Sequence, residues 1–213
     1  VEIEKILKTC KQQLFVGFNR RYSPFIIKTK DYISKTGEPL FINYRINAGY
    51  LEPNHWTQQL NKGGGRIIGE VCHFIDLCNY LTNSDIISVN AINIPIDGKA
   101  IKNSDNYSIQ IQYLDGSIAS INYICNGSKG LEKELIEISS AGSSVIIKDF
   151  YEMNIYDSQS KKVKIDKIAK IDKGHEQEII EIAKALQGNK NLTPETNLDI
   201  ISSKVSIQIS KER

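Results

Sequence analysis

The sequence predicts an α+β fold: an open, mainly antiparallel sheet with helices packed on one face. Three observations carry this. Between Ile86 and Ile165, apolar and polar residues alternate in short runs separated by turn dipeptides, the mark of successive hairpins. On either side of that block, apolar residues recur at three- and four-residue steps, the period of amphipathic helices. Finally, 213 residues with 40% hydrophobic and 24% charged side chains make one or two globular domains with a sizeable core.

Taken in order, residues 1 to 12 read as a helix, with Ile3, Ile6 and Leu7 on one side and Cys10 following. Leu14 to Phe18 is a short continuous apolar run, the pattern of a strand covered on both faces. It leads into Asn19, Arg20 and Arg21, at the carboxyl end of that strand, where open α/β sheets bind ligands. Surface arginines at a turn are the competing reading. Ser23 is suited to cap a helix and Pro24 to begin one, which then runs to about Lys35 before Gly37 stops it. From Pro39 to Tyr50, Leu40, Ile42, Tyr44 and Ile46 alternate with Phe41, Asn43, Arg45 and Asn47, a half-exposed strand.

A long loop follows, carrying His55 and the sole tryptophan, Trp56, as either a pocket wall or an anchor to the core. It ends in Gly63, Gly64 and Gly65, whose lack of a Cβ permits close backbone approach. The helix after them has an apolar stripe of Ile67, Ile68, Val71, Cys72, Ile75, Cys78 and Leu81. A second row holds Gly69, His73, Asp76 and Tyr80, flanked by Arg66 and Glu70. Glu70 lies one turn before His73, within hydrogen-bonding reach on a helix. An imidazole held by a carboxylate is the arrangement that proton transfer at neutral pH requires. A solvated histidine on a helix surface is the plainer reading.

Ile86 to Ile94 reads as a strand, and hairpins follow around Asp115-Gly116, Ala141-Gly142 and Asp157-Ser158. The freer face of such a sheet is either solvated or meets a second copy of itself. Two helices close the sequence. One spans about His175 to Leu186, with Ile179, Ile182, Ala183 and Leu186 as its stripe and Gly188 as its stop; His175 reads as structural or exposed. The other starts after Thr193-Pro194-Glu195 and carries Leu198, Ile201, Val205 and Ile209.

Composition excludes several functions. The net charge of +2 is mild, and no basic run interleaves with aromatics, so a nucleic-acid partner is not expected. Lys161, Lys162 and Lys164 read as a solvated strand end. No apolar run approaches the ~18 residues of a membrane span, and the opening VEIEKILK is unlike a signal peptide, so no membrane partner is expected. Cys10, Cys72, Cys78 and Cys125 contain no CxxC pair and read as reduced thiols of a cytoplasmic protein. Cys72 and His73 are adjacent on a helix and point about 100° apart, so zinc chelation with Cys78 is disfavoured and no metal site is expected.

Five segments together resemble the Gfo/Idh/MocA oxidoreductases, and within them the bacterial branch fused behind a zinc-alcohol-dehydrogenase-like half. These are Val16 to Pro24 (VGFNRRYSP), Ile46 to Gln58 (INAGYLEPNHWTQ), Gly63 to Leu77 (GGGRIIGEVCHFIDL), the Asp115-Gly116 hairpin, and the closing helix pair. The resemblance implies the dihydrodipicolinate-reductase-like, or glyceraldehyde-3-phosphate-dehydrogenase-like, C-terminal domain. It divides the chain into 1–22, the last helix and strand of a Rossmann domain, and 23–213, a substrate-binding and oligomerisation domain. The chain has no GxGxxG after a strand and no Glu-Lys-Pro segment with the family's catalytic lysine, so it is expected to be a fragment, inactive alone and without bound cofactor. The family also places an aspartate where this chain has Gly69, with Glu70 beside it.

By this resemblance the full-length protein uses NAD or NADP to oxidise or reduce a secondary alcohol of a sugar, sugar nucleotide or cyclitol. His73 and Glu70 are its expected catalytic residues here, and Asn19, Arg20, Tyr50, His55 and Arg66 its expected substrate ligands, while residues for the dinucleotide are unassigned. A homodimer through the open sheet is the expected assembly. A non-catalytic oligomerisation or carbohydrate-binding module of the same fold is the alternative.

Overall fold

In the computed structural model, the described residues are 2–10, 14–52, 54–59, 61–94, 105–160, 163–188 and 193–211. Lys161 and Lys162 of the expected lysine cluster lie outside them. The helices are α1 (Glu2–Leu7), α2 (Pro24–Ile33), α3 (Cys72–Thr82), α4 (His175–Leu186) and α5 (Thr193–Lys211). The strands are β1 (Phe41–Asn47), β2 (Ile86–Asn93), β3 (Tyr107–Tyr113), β4 (Ile118–Ile124), β5 (Glu134–Ser140), β6 (Ser143–Lys148), β7 (Glu152–Tyr156) and β8 (Val163–Lys167).

All eight strands form one sheet in the order β2-β3-β4-β1-β5-β6-β7-β8. Among the described residues only β1 and β4 run parallel; the other pairs are antiparallel hairpins or neighbours. The hairpin turns have the expected chemistry. Ala141 and Gly142 both take positive φ, as a tight two-residue turn needs. Asp115 accepts from the backbone N–H and hydroxyl of Ser117, with Gly116 at φ +91°.

Alternation decides the layers. Ile42, Tyr44 and Ile46, together with Ile109, Ile111, Ile121, Ile136, Ile138, Val145 and Ile147, face the helices and are buried. They pack with Phe25 and Ile26 of α2 and with Phe74, Ile75 and Leu77 of α3 in one core. Each such aliphatic residue contributes about 1.5–3 kcal/mol by leaving water. The opposite face keeps Phe41, Ile92, Ile118 and Ile165 exposed. This is the open sheet that the sequence predicts.

Three expectations need correction. Leu14–Phe18 forms no strand and pairs with none among the described residues, and the Phe18 N–H turns back onto the Val16 carbonyl (2.7 Å). Its backbone is instead tied to α5: the Val16 N–H donates to Asp199 (3.1 Å), and the Leu14 carbonyl accepts from Thr196 Oγ1 (2.7 Å). A continuous apolar run marks a segment that wants cover; a strand also needs a neighbour to pair with.

The glycine-led helix is not uniformly α-helical either. Ile67–Val71 is a π-turn, and α3 begins only at Cys72. The wider turn rotates the apolar face, so Phe74 and Leu77 join Ile67, Val71, Ile75, Cys78 and Leu81 in the core while Ile68 is exposed and Cys72 half-buried. Asn83 then closes α3 in the left-handed conformation, and Lys30 Nζ donates to the Leu81 carbonyl at its end.

In α4 the expected stripe is not a core face. Ile179 is 65% and Leu186 84% exposed, whereas Glu178 and Ala185 are buried.

Candidate functional site

The 3₁₀ turn Asn19–Tyr22 is buried throughout and sends its two arginines to different partners. Arg20 grips Glu134, the first residue of β5, through both nitrogens of its fork (2.8 and 2.9 Å). The Tyr44 hydroxyl donates to the same carboxylate, and Lys173 Nζ donates to it at 2.7 Å. Burial alone would raise the Glu134 pKa, but Arg20 and Lys173 hold it at about 2. Arg21 pairs with Asp76 and with Asp199 (2.7 Å), and Ser202 Oγ also donates to Asp76 (3.0 Å). Asp76 is therefore a buried counter-ion joining α3 to α5, not a member of a ligand-facing row. All these charges are paired, as burial demands.

The loop before α4 is clasped onto the same turn. Asn19 Nδ2 donates to the Lys173 carbonyl (2.7 Å), and Ser23 Oγ donates to the Asp172 carbonyl (2.8 Å). Ser23 precedes α2 as expected, but its hydroxyl serves this clasp and makes no cap bond. Gly174, at φ +88°, packs so closely on Ser23 N and Tyr22 that a Cβ would collide with them. The clasp carries Lys173 to Glu134 and His175 into the electrostatic range of His73.

His73 stands between these groups. The edge of its ring meets Phe18, with centroids 5.4 Å apart at 85°. Its Nδ1 is buried and has no hydrogen-bond partner among the described residues. Burial, with Arg20 next in weight, pushes its pKa down to about 4; Glu70 and Glu134 pull the other way, and His175 adds a smaller downward push. At neutral pH the ring is therefore uncharged, with one nitrogen able to donate and the other to accept.

Glu70 does not hold the imidazole. Its carboxylate accepts from Lys133 Nζ (2.8 Å) and the Tyr123 hydroxyl (2.6 Å), and pairs with Arg66 (3.2 Å). Burial opposes its ionisation, yet Lys133 and Tyr123 outweigh it and lower the pKa. The π-turn aims Glu70 at the β4 end, and its charge reaches His73 only through space. Position 69 is tight for the family's aspartate, since a Cβ there would lie 3.0 Å from the Gly63 carbonyl oxygen and the glycine loop would have to give by a few tenths of an ångström.

The expected substrate ligands divide into two groups. The Asn19 amide, Arg20 fork and Arg66 guanidinium are engaged inside the protein, Arg66 with Tyr123, Glu70 and the Gly49 carbonyl. They build the site's walls. Tyr50 and His55 lie on the loop. Tyr50 is exposed with its hydroxyl 3.5 Å from Glu52, while His55 Nδ1 lies 2.7 Å from Thr57 Oγ1.

Sequence reasoning missed Glu134, Tyr123, Lys133, Lys173 and His175 as members of this cluster. Glu134 had a readable signal: it is in phase with the inward Ile136 and Ile138, so its charge falls on the buried face. Lys173 and His175 had none, because their position depends on the clasp.

Among the described residues no cluster of His, Cys, Asp and Glu has the makings of a metal site, and Cys72, Cys78 and Cys125 form no disulfide there. A groove of about 440 Å³ between α2 and the β7–β8 hairpin shares no residue with the His73 cluster. Most of its polar groups already have partners: Lys28 pairs with Asp166, Lys35 with Asp31, and Tyr32 donates to Asp157. The glycine run does not fit a dinucleotide's phosphates. It follows a loop, leads into a π-turn, and the space at Gly63 is filled by Thr57 and the Trp56 carbonyl.

Comparison with known proteins agrees with this architecture. A family model described as "Oxidoreductase family, C-terminal alpha/beta domain" matches residues 30–206. Solved structures with the same fold include an NAD binding oxidoreductase from Klebsiella pneumoniae (TM-score 0.77, 17% identity, 100% of this chain and 68% of that one). A dehydrogenase from Clostridium difficile matches with TM-score 0.75 and 18% identity over 100% of this chain and 66% of its own. Levoglucosan dehydrogenase, solved with NADH and levoglucosan, matches with TM-score 0.75 and 19% identity over 92% and 63%. The chain thus spans about two thirds of the length of these proteins. No helix among its described residues is long and apolar enough to cross a membrane.

Proposed function

This chain belongs to the Gfo/Idh/MocA oxidoreductase family, and on that premise we propose that it is the substrate domain of an NAD(P)-dependent enzyme acting on a secondary alcohol of a sugar, sugar nucleotide or cyclitol. The glycine run does not cradle a dinucleotide's phosphates, and the share of the chemistry proposed for this chain is to bind and polarise the alcohol.

One observation carries the reading: a half-buried, uncharged imidazole whose buried Nδ1 has no partner among the described residues, set among paired ions. A polar atom left unpaired inside a protein is costly, and a ligand hydroxyl would relieve it. With a pKa near 4, His73 is a weak base at neutral pH and suits a hydrogen-bonding role, orienting the hydroxyl and polarising its oxygen. Arg20, Glu134, Lys173 and Asn19 hold its surroundings rigid, and Glu70 with Lys133 supplies the charged border.

In the enzyme complete with its dinucleotide domain, His73→Ala is expected to lower kcat by about 100-fold or more, the usual cost of removing such a group. An unchanged kcat overturns the assignment. The chain alone is expected to show no NAD(P)H turnover.

A non-catalytic module with this fold is the second reading, favoured by Glu70 bonding Lys133 and Tyr123 instead of His73. The same kinetic measurement decides between them. Under either reading, the exposed Phe41, Ile118, Tyr156 and Ile165 on the open sheet face fit a second copy of the chain. Sedimentation is expected to give a dimer, and a clean monomer at high concentration counts against it.

A further inference from the structure

Trp56 sits on the loop beside the His73 helix, and its indole is 60% exposed. It does not anchor the loop to the core. Nor is the loop slack: the Thr57 N–H donates to His55 Nδ1, the Gln58 amide donates to the buried Asp105 (2.6 Å), and the Gly63 N–H donates to the Gln59 carbonyl (2.8 Å). Gly63 packs against the Thr57 backbone and the Trp56 carbonyl, where any side chain would collide. The other side of Gly63 abuts Gly69 in the π-turn, one turn before His73. Tyr50, next to the Gly49 carbonyl that Arg66 binds, and Ile68 add two more exposed apolar side chains around that turn.

A clamped backbone that displays a large apolar ring to water makes sense when something covers the ring. The occupant is constrained by the neighbouring chemistry. A cyclic polyol has hydroxyls for a polar cluster and a face of C–H groups for an aromatic plane.

We propose that Trp56 is a stacking platform for the apolar face of a carbohydrate ring whose hydroxyl edge is directed toward His73. This rests on the substrate-cleft reading above and adds to it the recognition element for a cyclic substrate.

The indole is the only one in this 213-residue chain, so the fluorescence of this chain reports the platform directly. Methyl α-D-glucopyranoside, UDP-glucose and a cyclitol are titrated into the protein, with the acyclic polyol D-glucitol as comparator and calorimetry as a second readout. At least one cyclic compound is expected to change the indole emission, and D-glucitol to leave it unchanged. Trp56→Ala is expected to weaken binding of that compound about tenfold, while Trp56→Phe retains most of it. Circular dichroism establishes that both variants fold.

Equal calorimetric affinity in Trp56→Ala overturns the platform and leaves the His73 reading standing. A ligand lost in Trp56→Ala but bound normally by His73→Ala supports the platform and removes the cleft. Binding of no compound overturns both. Emission that shifts with protein concentration alone also overturns the proposal, because a second copy of the chain would then cover the ring.

Discussion

The helices α3 and α4 carry comparably regular apolar stripes in the sequence, yet the fold uses them in opposite ways. Ile75, Leu77, Cys78 and Phe74 of α3 are wholly buried between the sheet and α5. On α4, Ile179 and Leu186 face solvent, and the inward positions are Glu178 and Ala185. A stripe establishes that a helix has two faces. It does not say which element covers either face.

The sharpest way to break this contrast is to truncate one side chain on each helix. Ile75→Ala removes fully buried atoms from a core that cannot collapse around them and is expected to cost about 2–5 kcal/mol. Urea denaturation monitored by circular dichroism measures it. A loss below about 1 kcal/mol would mean that α3 is not the packed helix described above.

Protons give a second, smaller probe of α3. His73 has a folded pKa of about 4, below the unfolded value near 6.5. Between those values the unfolded state binds more protons, so stability falls as pH drops from about 6.5 through 4. The expected loss is about 2–3 kcal/mol. Glu134 acts in the same direction at lower pH: its stabilising ionisation is lost as pH falls through about 4.5 towards 2. The two are separable, since His73→Phe should remove the first decline and leave the second. An identical pH profile in that variant would show that the ring is not buried as described.

The same contrast explains what was legible. The hairpins were readable because Asp115-Gly116 and Ala141-Gly142 fix their turns locally and the alternation fixes their faces. The end of α4 was readable from Gly188 and the period before it. The π-turn was not, because Ile67 to Val71 fits a helical wheel equally well before its packing is known. Nor were the partners of Arg20 and Arg21. Glu134, Asp76 and Asp199 lie 55 to 178 residues away in sequence, and only the topology brings them together. Sequence proximity pointed instead to Glu70 as the companion of His73, and Tyr123 and Lys133 took that carboxylate away.

The smallest expected effect is the most informative about α4. Leu186 is 84% exposed, so Leu186→Ser should change the stability of this chain by less than about 0.5 kcal/mol, the usual range for surface substitutions. Ile179→Ser should behave alike for the same reason. If either costs about 1 kcal/mol or more in the isolated protein, well outside that surface range, the stripe is packed and the contrast with α3 fails. If both are silent there but destabilising in the enzyme with its dinucleotide domain, the stripe is an interface. The period in the sequence would then be a record of burial between domains, and α3 and α4 would differ only in which part of the protein supplies the cover.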